Sequence, residues 1–138
     1  MKSQPQKMTP EQAAQVLLDR KHITVLTGAG ISAASGIPTF RGNEGFWKSQ
    51  KKVYCGETDP SDICRRTFFD VNPMANWEWH YDFIKLASDK VSNAGHKAIV
   101  KFQEYCAQAP DMSSMLVTQN IDNLHAFEIK KSSILTQS

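Results

Sequence analysis

The stretch Thr27-Gly28-Ala29-Gly30-Ile31-Ser32-Ala33-Ala34-Ser35-Gly36-Ile37-Pro38-Thr39-Phe40-Arg41 follows directly on the apolar run His22-Ile23-Thr24-Val25-Leu26-Thr27. β-Branched residues running into glycines spell a buried strand that ends in a tight turn. The small residues after the turn let a helix begin close to it. Gly28, Gly30 and Ala33 fit the G-x-G-x-x-G/A spacing of a dinucleotide-binding turn. Glycine lets backbone approach a pyrophosphate, and the N–H groups of the first helical turn bind its charge. A glycine-rich strand end also serves as a plain turn, so the motif needs support from elsewhere in the chain. A hydride-transfer enzyme would add a second strand ending in Asp or Glu about 20 residues on. Residues 36–47 are loop-like instead, and Glu44 lies at no strand end.

The support comes from the second half. Met115-Leu116-Val117-Thr118 reads as another buried strand, with Gln119-Asn120-Ile121-Asp122 at its carboxyl end. In open α/β sheets, ligands bind in the crevice outside those ends. The expected fold is α/β: a partial Rossmann-like parallel sheet with flanking helices.

Three segments, in order and spacing, resemble the signatures of the sirtuins, NAD-dependent protein lysine deacylases: Gly28-Ala29-Gly30-Ile31-Ser32, Gly36-Ile37-Pro38-Thr39-Phe40-Arg41 and Thr118-Gln119-Asn120-Ile121-Asp122. Asn93-Ala94-Gly95-His96-Lys97-Ala98 is similar to the family's segment between them. The resemblance runs from residue 10 to residue 125 and implies the NAD-binding half of a sirtuin fold. It also implies a reaction in which the acyl oxygen of a modified lysine attacks the ribose of NAD. Nicotinamide leaves, and the products are free lysine and an O-acyl-ADP-ribose.

The same resemblance assigns roles. Gly28, Ala29, Gly30 and Ser32 would contact phosphate and ribose. Thr39, Phe40 and Arg41 would belong to the mobile cofactor loop, with Phe40 shielding the reactive sugar carbon. Gln119, Asn120, Ile121 and Asp122 would surround the nicotinamide. Asp122 would accept a hydrogen bond from the carboxamide and Asn120 would position a water or a ribose hydroxyl, which makes these two the catalytic candidates. Read as residues alone, Gly28–Ser32 is equally a tight turn with an N-capping serine, Phe40 a buried aromatic, and Asp122 a turn residue or helix cap.

The sequence departs from the family at two points. The family's general-base histidine lies beyond the Gln-Asn-Ile-Asp segment, and no histidine follows His125 here. His125 itself is expected at the surface or at a helix end, and His22, His80 and His96 are expected to pack or face solvent. The family's zinc ligands are missing too: Cys55, Cys64 and Cys106 contain no C-x-x-C pair, so no metal site is expected in this chain. Zinc belongs to the longer family proteins. The expectation is the N-terminal portion of a deacetylase, truncated before the base and inactive alone. The alternative is a short non-catalytic NAD-binding or regulatory form. A fragment of a nicotinamide-dependent oxidoreductase ranks third.

The implied partner is an acylated-lysine protein or peptide, a histone or another. Family members that take acidic acyl groups carry Tyr-x-x-Arg on the helix matching residues 74–87. Here Tyr81 is followed by Asp82, Phe83 and Ile84 with no arginine, which favours an acetyl or apolar acyl group. The face Trp77, Tyr81, Ile84 is expected to be core.

Composition is compatible with all of this. The chain has 138 residues, 41% of them hydrophobic, and a formal charge of +2. Such a charge makes no case for nucleic acid or an anionic membrane as partner. The polar N-terminus carries no signal-peptide core, and an intracellular location, cytoplasmic or nuclear, is expected. Residues 1–8 read as a disordered lead, 9–125 as the partial NAD-binding domain and 126–138 as a divergent or truncated tail. Thr9-Pro10-Glu11-Gln12 forms a capping box with proline at the first helical position, and Ala13, Ala14, Leu17 and Leu18 make an apolar stripe behind it. Asn72-Pro73 and Asn93 mark further helix starts. Ala94, Ala98, Ile99, Phe102 and Cys106 are expected on the inner side of the second of these helices, with Cys106 a small core residue.

Overall fold

The computed structural model describes residues 7–40 and 60–136. Arg41, Cys55 and most of the irregular stretch at 42–72 lie outside the described residues. Helix α1 spans Pro10–Leu18, and the capping box forms: Thr9 Oγ1 accepts from Gln12 N–H while the Gln12 side chain accepts from Thr9 N–H. Strand β1 is His22–Thr27 and strand β2 is Ser113–Thr118. They pair in parallel, with His22 opposite Ser113 and Thr27 opposite Thr118. The carboxyl ends of both strands therefore lie side by side, and Gln119 N–H donates to Thr27 O (3.1 Å) just beyond them.

Between the strands come helix α2 (Arg66–Val71), helix α3 (Pro73–Ala87) and helix α4 (Ala94–Gln108); helix α5 (Leu124–Ile129) follows β2. A parallel pair needs a long crossover, and here it contains α4. Asn93 caps α4 through Gly95 N–H (2.8 Å). The main apolar cluster is not under the sheet. It gathers Ile37, Ile63, Trp79, Phe83, Ala87 and Leu124, with Phe40, Phe68 and Ala75 packed against it. This cluster ties α3 to the segment that leaves the glycine turn and to the start of α5.

Several sequence expectations are corrected. On α3 the face Met74, Trp77, Tyr81, Ile84 is exposed, and Asn76, Trp79, Phe83 and Ala87 are buried instead. The helix carries two apolar lines. The one that is used places an indole and a phenyl ring four residues apart, where both meet the apolar cluster. On α4 the inward line is His96, Val100 and Cys106 with Ile99 and Phe102 half-buried, while Ala94 and Ala98 are exposed. Cys106 is buried as expected.

The stripe of α1 stays largely uncovered: Ala13 is half-buried, and Ala14, Leu17 and Leu18 are exposed. Neither strand is buried on both faces. Leu26, Met115 and Val117 are exposed, and the register puts Leu26 opposite Val117. Parallel sheets ordinarily have both faces covered, so a covered sheet would need more protein than the described residues supply. Among these residues no helix is long and apolar enough to cross a membrane.

Candidate functional site

Beyond Thr27 the backbone turns through Gly28 into a 3-10 helix, Ala29–Ser35, that ends at Gly36. Gly36 has φ 83°, a left-handed conformation that closes the helix and that side chains rarely adopt. The helix is held close to the start of α4. A Cβ on Gly95 would meet Asn93 Oδ1 at 3.1 Å and Ile31 Cγ1 at 3.3 Å, so the missing side chain is what lets Ile31 approach. Asn93 Nδ2 completes this contact by donating to Ile31 O (2.7 Å) and Ser35 Oγ (2.9 Å).

Ser32 is not an N-cap. It lies inside the 3-10 helix, is 1% exposed, and donates to Asp122 Oδ2 at 2.6 Å. Asn120 spends both amide hydrogens inward, on Gly28 O (3.1 Å) and Ser32 Oγ (3.2 Å), so its Oδ1 is what it can offer a ligand. Asp122 accepts from Leu124 N–H at 3.0 Å through Oδ1, at the start of α5. One carboxylate oxygen of Asp122 thus meets the first N–H of α5 while the other holds the glycine-turn serine. Asn123, in the left-handed region at φ 61°, makes the sharp bend between them.

This cluster forms one wall of a cleft of ≈ 190 Å³. Of the sequence candidates, Ala29, Ser32, Phe40, Gln119, Asn120, Ile121 and Asp122 line it. Gly28 contributes its carbonyl to the cluster, while Gly30 and Thr39 are not among the lining residues. Cys64, Trp79, His80 and Phe83 also line it and were missed from sequence, together with Ile37. The signal was present: Trp79, Phe83 and Ala87 recur at helical spacing on α3. The acyl argument shifts accordingly. Tyr81 and Ile84 are exposed, and His80 and Phe83 line the cleft. Phe40 stacks on Phe83 (5.6 Å, 20°) and lies 6.4 Å from Trp79, which makes the wall aromatic.

His125 is neither a surface residue nor part of the cleft lining. It is 4% exposed in the first turn of α5, and its Nε2 lies 3.0 Å from Thr27 Oγ1. His96 is fully buried beside it, with ring centroids 4.6 Å apart. Burial lowers the pKa of both below the ordinary histidine value, against the opposing pull of the Asp122 carboxylate. Burial also pushes up the thiol of Cys64 in the cleft wall.

Whether the residues fit a dinucleotide can be judged at the turn itself. A Cβ built on Gly28 or Gly30 meets nothing within 4 Å, and neither residue has a positive φ. The fold alone does not demand glycine there, and the open space is what close approach of a pyrophosphate requires. Among the described residues no group of three or more His, Cys, Asp or Glu could hold a metal ion.

Comparison with known proteins supplies the context. Residues 28–131 match the model of the Sir2 family. An NAD-dependent protein deacylase of Aquifex aeolicus is 39% identical over 108 residues, covering 78% of this chain and 40% of that protein. The mitochondrial NAD-dependent protein deacylase sirtuin-5 of Danio rerio is 36% identical over 105 residues, covering 76% and 32%. Among solved structures, a Sir2 homologue in complex with NAD has a TM-score of 0.61 at 30% identity, covering 86% of this chain and 41% of that one. A Sir2 variant in complex with deacetylated p53 peptide and 3'-O-acetyl ADP-ribose has a TM-score of 0.66 at 29% identity, covering 88% and 44%. The chain spans about two-fifths of the length of the Aquifex relative.

Proposed function

The chain belongs to the Sir2 family, and we propose that it forms the NAD-binding half of a protein lysine deacylase that, in a longer protein, passes an acetyl group from lysine to ADP-ribose. The observation that carries this is the Ser32–Asp122–Asn120 cluster, which locks the glycine turn to the end of the second strand along one wall of a cleft. Such a junction of two strand ends is where α/β sheets bind ligands.

In this reading Gly28, Ala29, Gly30 and Ser32 receive the phosphates and ribose, with Thr39 and Arg41 assigned to the cofactor loop. Gln119, Asn120, Ile121 and Asp122 surround the nicotinamide end. Ser32 holds Asp122 so that its remaining lone pairs aim at a carboxamide. Asn120, with its amide hydrogens committed, presents an oxygen to a ribose hydroxyl. Phe40, Trp79 and Phe83 exclude water from that end of the cleft. NAD, when bound, would supply the sugar carbon that receives the acyl oxygen. No described residue is assigned the general base, and the chain alone is proposed to lack turnover.

The aromatic wall, on a helix without arginine, favours an acetyl or apolar acyl group over a dicarboxylic one. The structure of a relative with a deacetylated p53 peptide supports a protein or peptide substrate. An intracellular site of action belongs to the same proposal.

Calorimetric titration with NAD tests the reading. The 138-residue chain should bind NAD, and Asp122→Ala and Ser32→Ala should each weaken binding by about tenfold or more, the equivalent of one charge-assisted hydrogen bond. Undiminished binding in both variants, or none by the native chain at millimolar NAD, refutes it. Substrate-linked NADH formation would favour a hydride-transfer enzyme instead.

A further inference from the structure

Behind the cleft, two buried imidazoles stand between the parts that shape it. His125 Nε2 contacts Thr27 Oγ1 (3.0 Å), one residue before the glycine turn, and His125 follows Asp122 by three positions. His96 Nδ1 accepts from Asn93 N–H (3.2 Å), and the Asn93 side chain in turn holds Ile31 O and Ser35 Oγ. The 3-10 helix Ala29–Ser35 is therefore gripped near its start through His125 and along its length through His96, and the two rings touch.

The hydrogen-bond polarity of one ring is set by geometry. A backbone N–H can only donate, so His96 Nδ1 is the acceptor and a neutral His96 carries its proton on Nε2. That Nε2 and Nδ1 of His125 are both buried, and neither has a hydrogen-bond partner among the described residues. Buried polar atoms are seldom left unsatisfied. The rings meet at a tilt rather than through these atoms, at a centroid distance of 4.6 Å and an interplanar angle of 58°.

We propose that His96 and His125, neutral and in ring contact, act as one positioning unit for the glycine turn and Asp122. The proposal rests on the reading of the cleft as a dinucleotide site. Protonation is what the pair cannot tolerate. An added proton on His96 Nδ1 would face Asn93 N–H donor to donor, breaking the capping box of α4. One on His125 would set a buried charge against the His96 ring.

The charged groups around the pair are the carboxylates of Asp122, from the loop after β2, and Glu128, from α5. Both favour the imidazolium. The partners from β1 and the start of α4, Thr27 and Asn93, are neutral. Burial outweighs the two carboxylates, so both imidazoles titrate below the ordinary value. The sign follows: the folded state binds fewer protons than the unfolded state, and the grip weakens as pH falls below about 6.5.

The test uses the 138-residue chain with ¹⁵N-labelled histidine. Long-range nitrogen–proton spectra at about pH 7.5 should show both rings neutral and His96 protonated on Nε2 only, since that pH is above the ordinary histidine range. Titration should move the amide signals of Gly28–Ser35 together with the two imidazoles. NAD affinity, the second readout, should fall on going from about pH 7.5 to about pH 5.5. His125→Ala should weaken NAD binding by about tenfold at the higher pH, and His125→Gln, which keeps a donor near the Nε2 position, should recover most of it.

An Nδ1–H tautomer on His96, titration of either ring at or above the ordinary value, or NAD binding indifferent to both pH and His125→Ala overturns the proposal. If the native chain does not bind NAD at all, the dinucleotide reading fails. The His96 tautomer, and the coupling of the imidazoles to the Gly28–Ser35 amides, then decide the pair independently.

Discussion

Trp77 and Trp79 are the same residue type two positions apart on one helix, and the structure gives them opposite weights. Trp79 is 2% exposed, stacks on Phe83 (5.8 Å, 21°) and meets His80 edge-on at 4.7 Å. Trp77 is 62% exposed, with His80 its ring neighbour at 5.9 Å. Truncating a buried tryptophan to alanine costs about 3–5 kcal/mol through lost transfer energy and the cavity left behind. The aromatic pairs with Phe83 and His80 place Trp79→Ala toward the upper half of that range. An exposed substitution such as Trp77→Ala should stay within about 0.5 kcal/mol.

The difference, roughly 3.5 kcal/mol, corresponds to a few-hundredfold difference in hydrogen-exchange protection of α3 amides. Native-state exchange is the right assay because it measures local opening and does not require one cooperative melt. Should Trp79→Ala abolish protection altogether, Trp79→Phe keeps a ring and should cost about 1.5 kcal/mol or less, still above Trp77→Phe. Equal losses at the two positions, or a larger loss at Trp77, would refute the assignment of the α3 faces. The cleft wall built on that assignment would fall with it.

The exposed sheet face should make the isolated chain bind a hydrophobic dye and melt broadly; a sharp calorimetric transition without dye binding would show that the face is covered. Thr9→Ala removes the capping box of a helix that has no buried residues, so it should cost about 1 kcal/mol of α1 helicity and leave exchange in β1 unchanged. In a Cys55→Ser background, Cys106 should resist alkylation. Cys64 should react more slowly at about pH 8 than a free thiol, because its raised pKa leaves less thiolate, and should speed up as pH rises. Equal rates at Cys64 and Cys106 would contradict the burial of Cys106.

Local signals read from the sequence correspond to local structure. The Thr9 capping box, the helix starts at Pro73 and Asn93, and the strand that runs into Gly28 are each written in a few adjacent residues, because caps and turns are satisfied by near neighbours. The parallel α/β arrangement was also legible, since two apolar runs that end in small or polar loops leave few topologies.

What the string did not reveal is which of two apolar lines on α3 faces inward. Periodicity identifies an amphipathic helix, but the choice between Trp77/Tyr81 and Trp79/Phe83 depends on what packs against it, namely Ile37, Ile63 and Leu124 from distant parts of the chain. That a two-stranded parallel sheet would leave apolar surface exposed was legible from the strand count, but which residues stay exposed, Leu26, Met115 and Val117, was decided by the fold.

The histidines show the division most plainly. By sequence they were residues in helix and strand patterns. Folding brought His96 against His125 and set His125 on Thr27, a contact spanning 98 positions. The sequence alone determined the two strands, the helix starts at Pro10, Pro73 and Asn93, and the motif that names the family. Only the tertiary structure decided which side chains share the cleft and which lie buried behind it. Burial and hydrogen-bond partners are properties of neighbours in space, and the chain supplies those neighbours only when it folds.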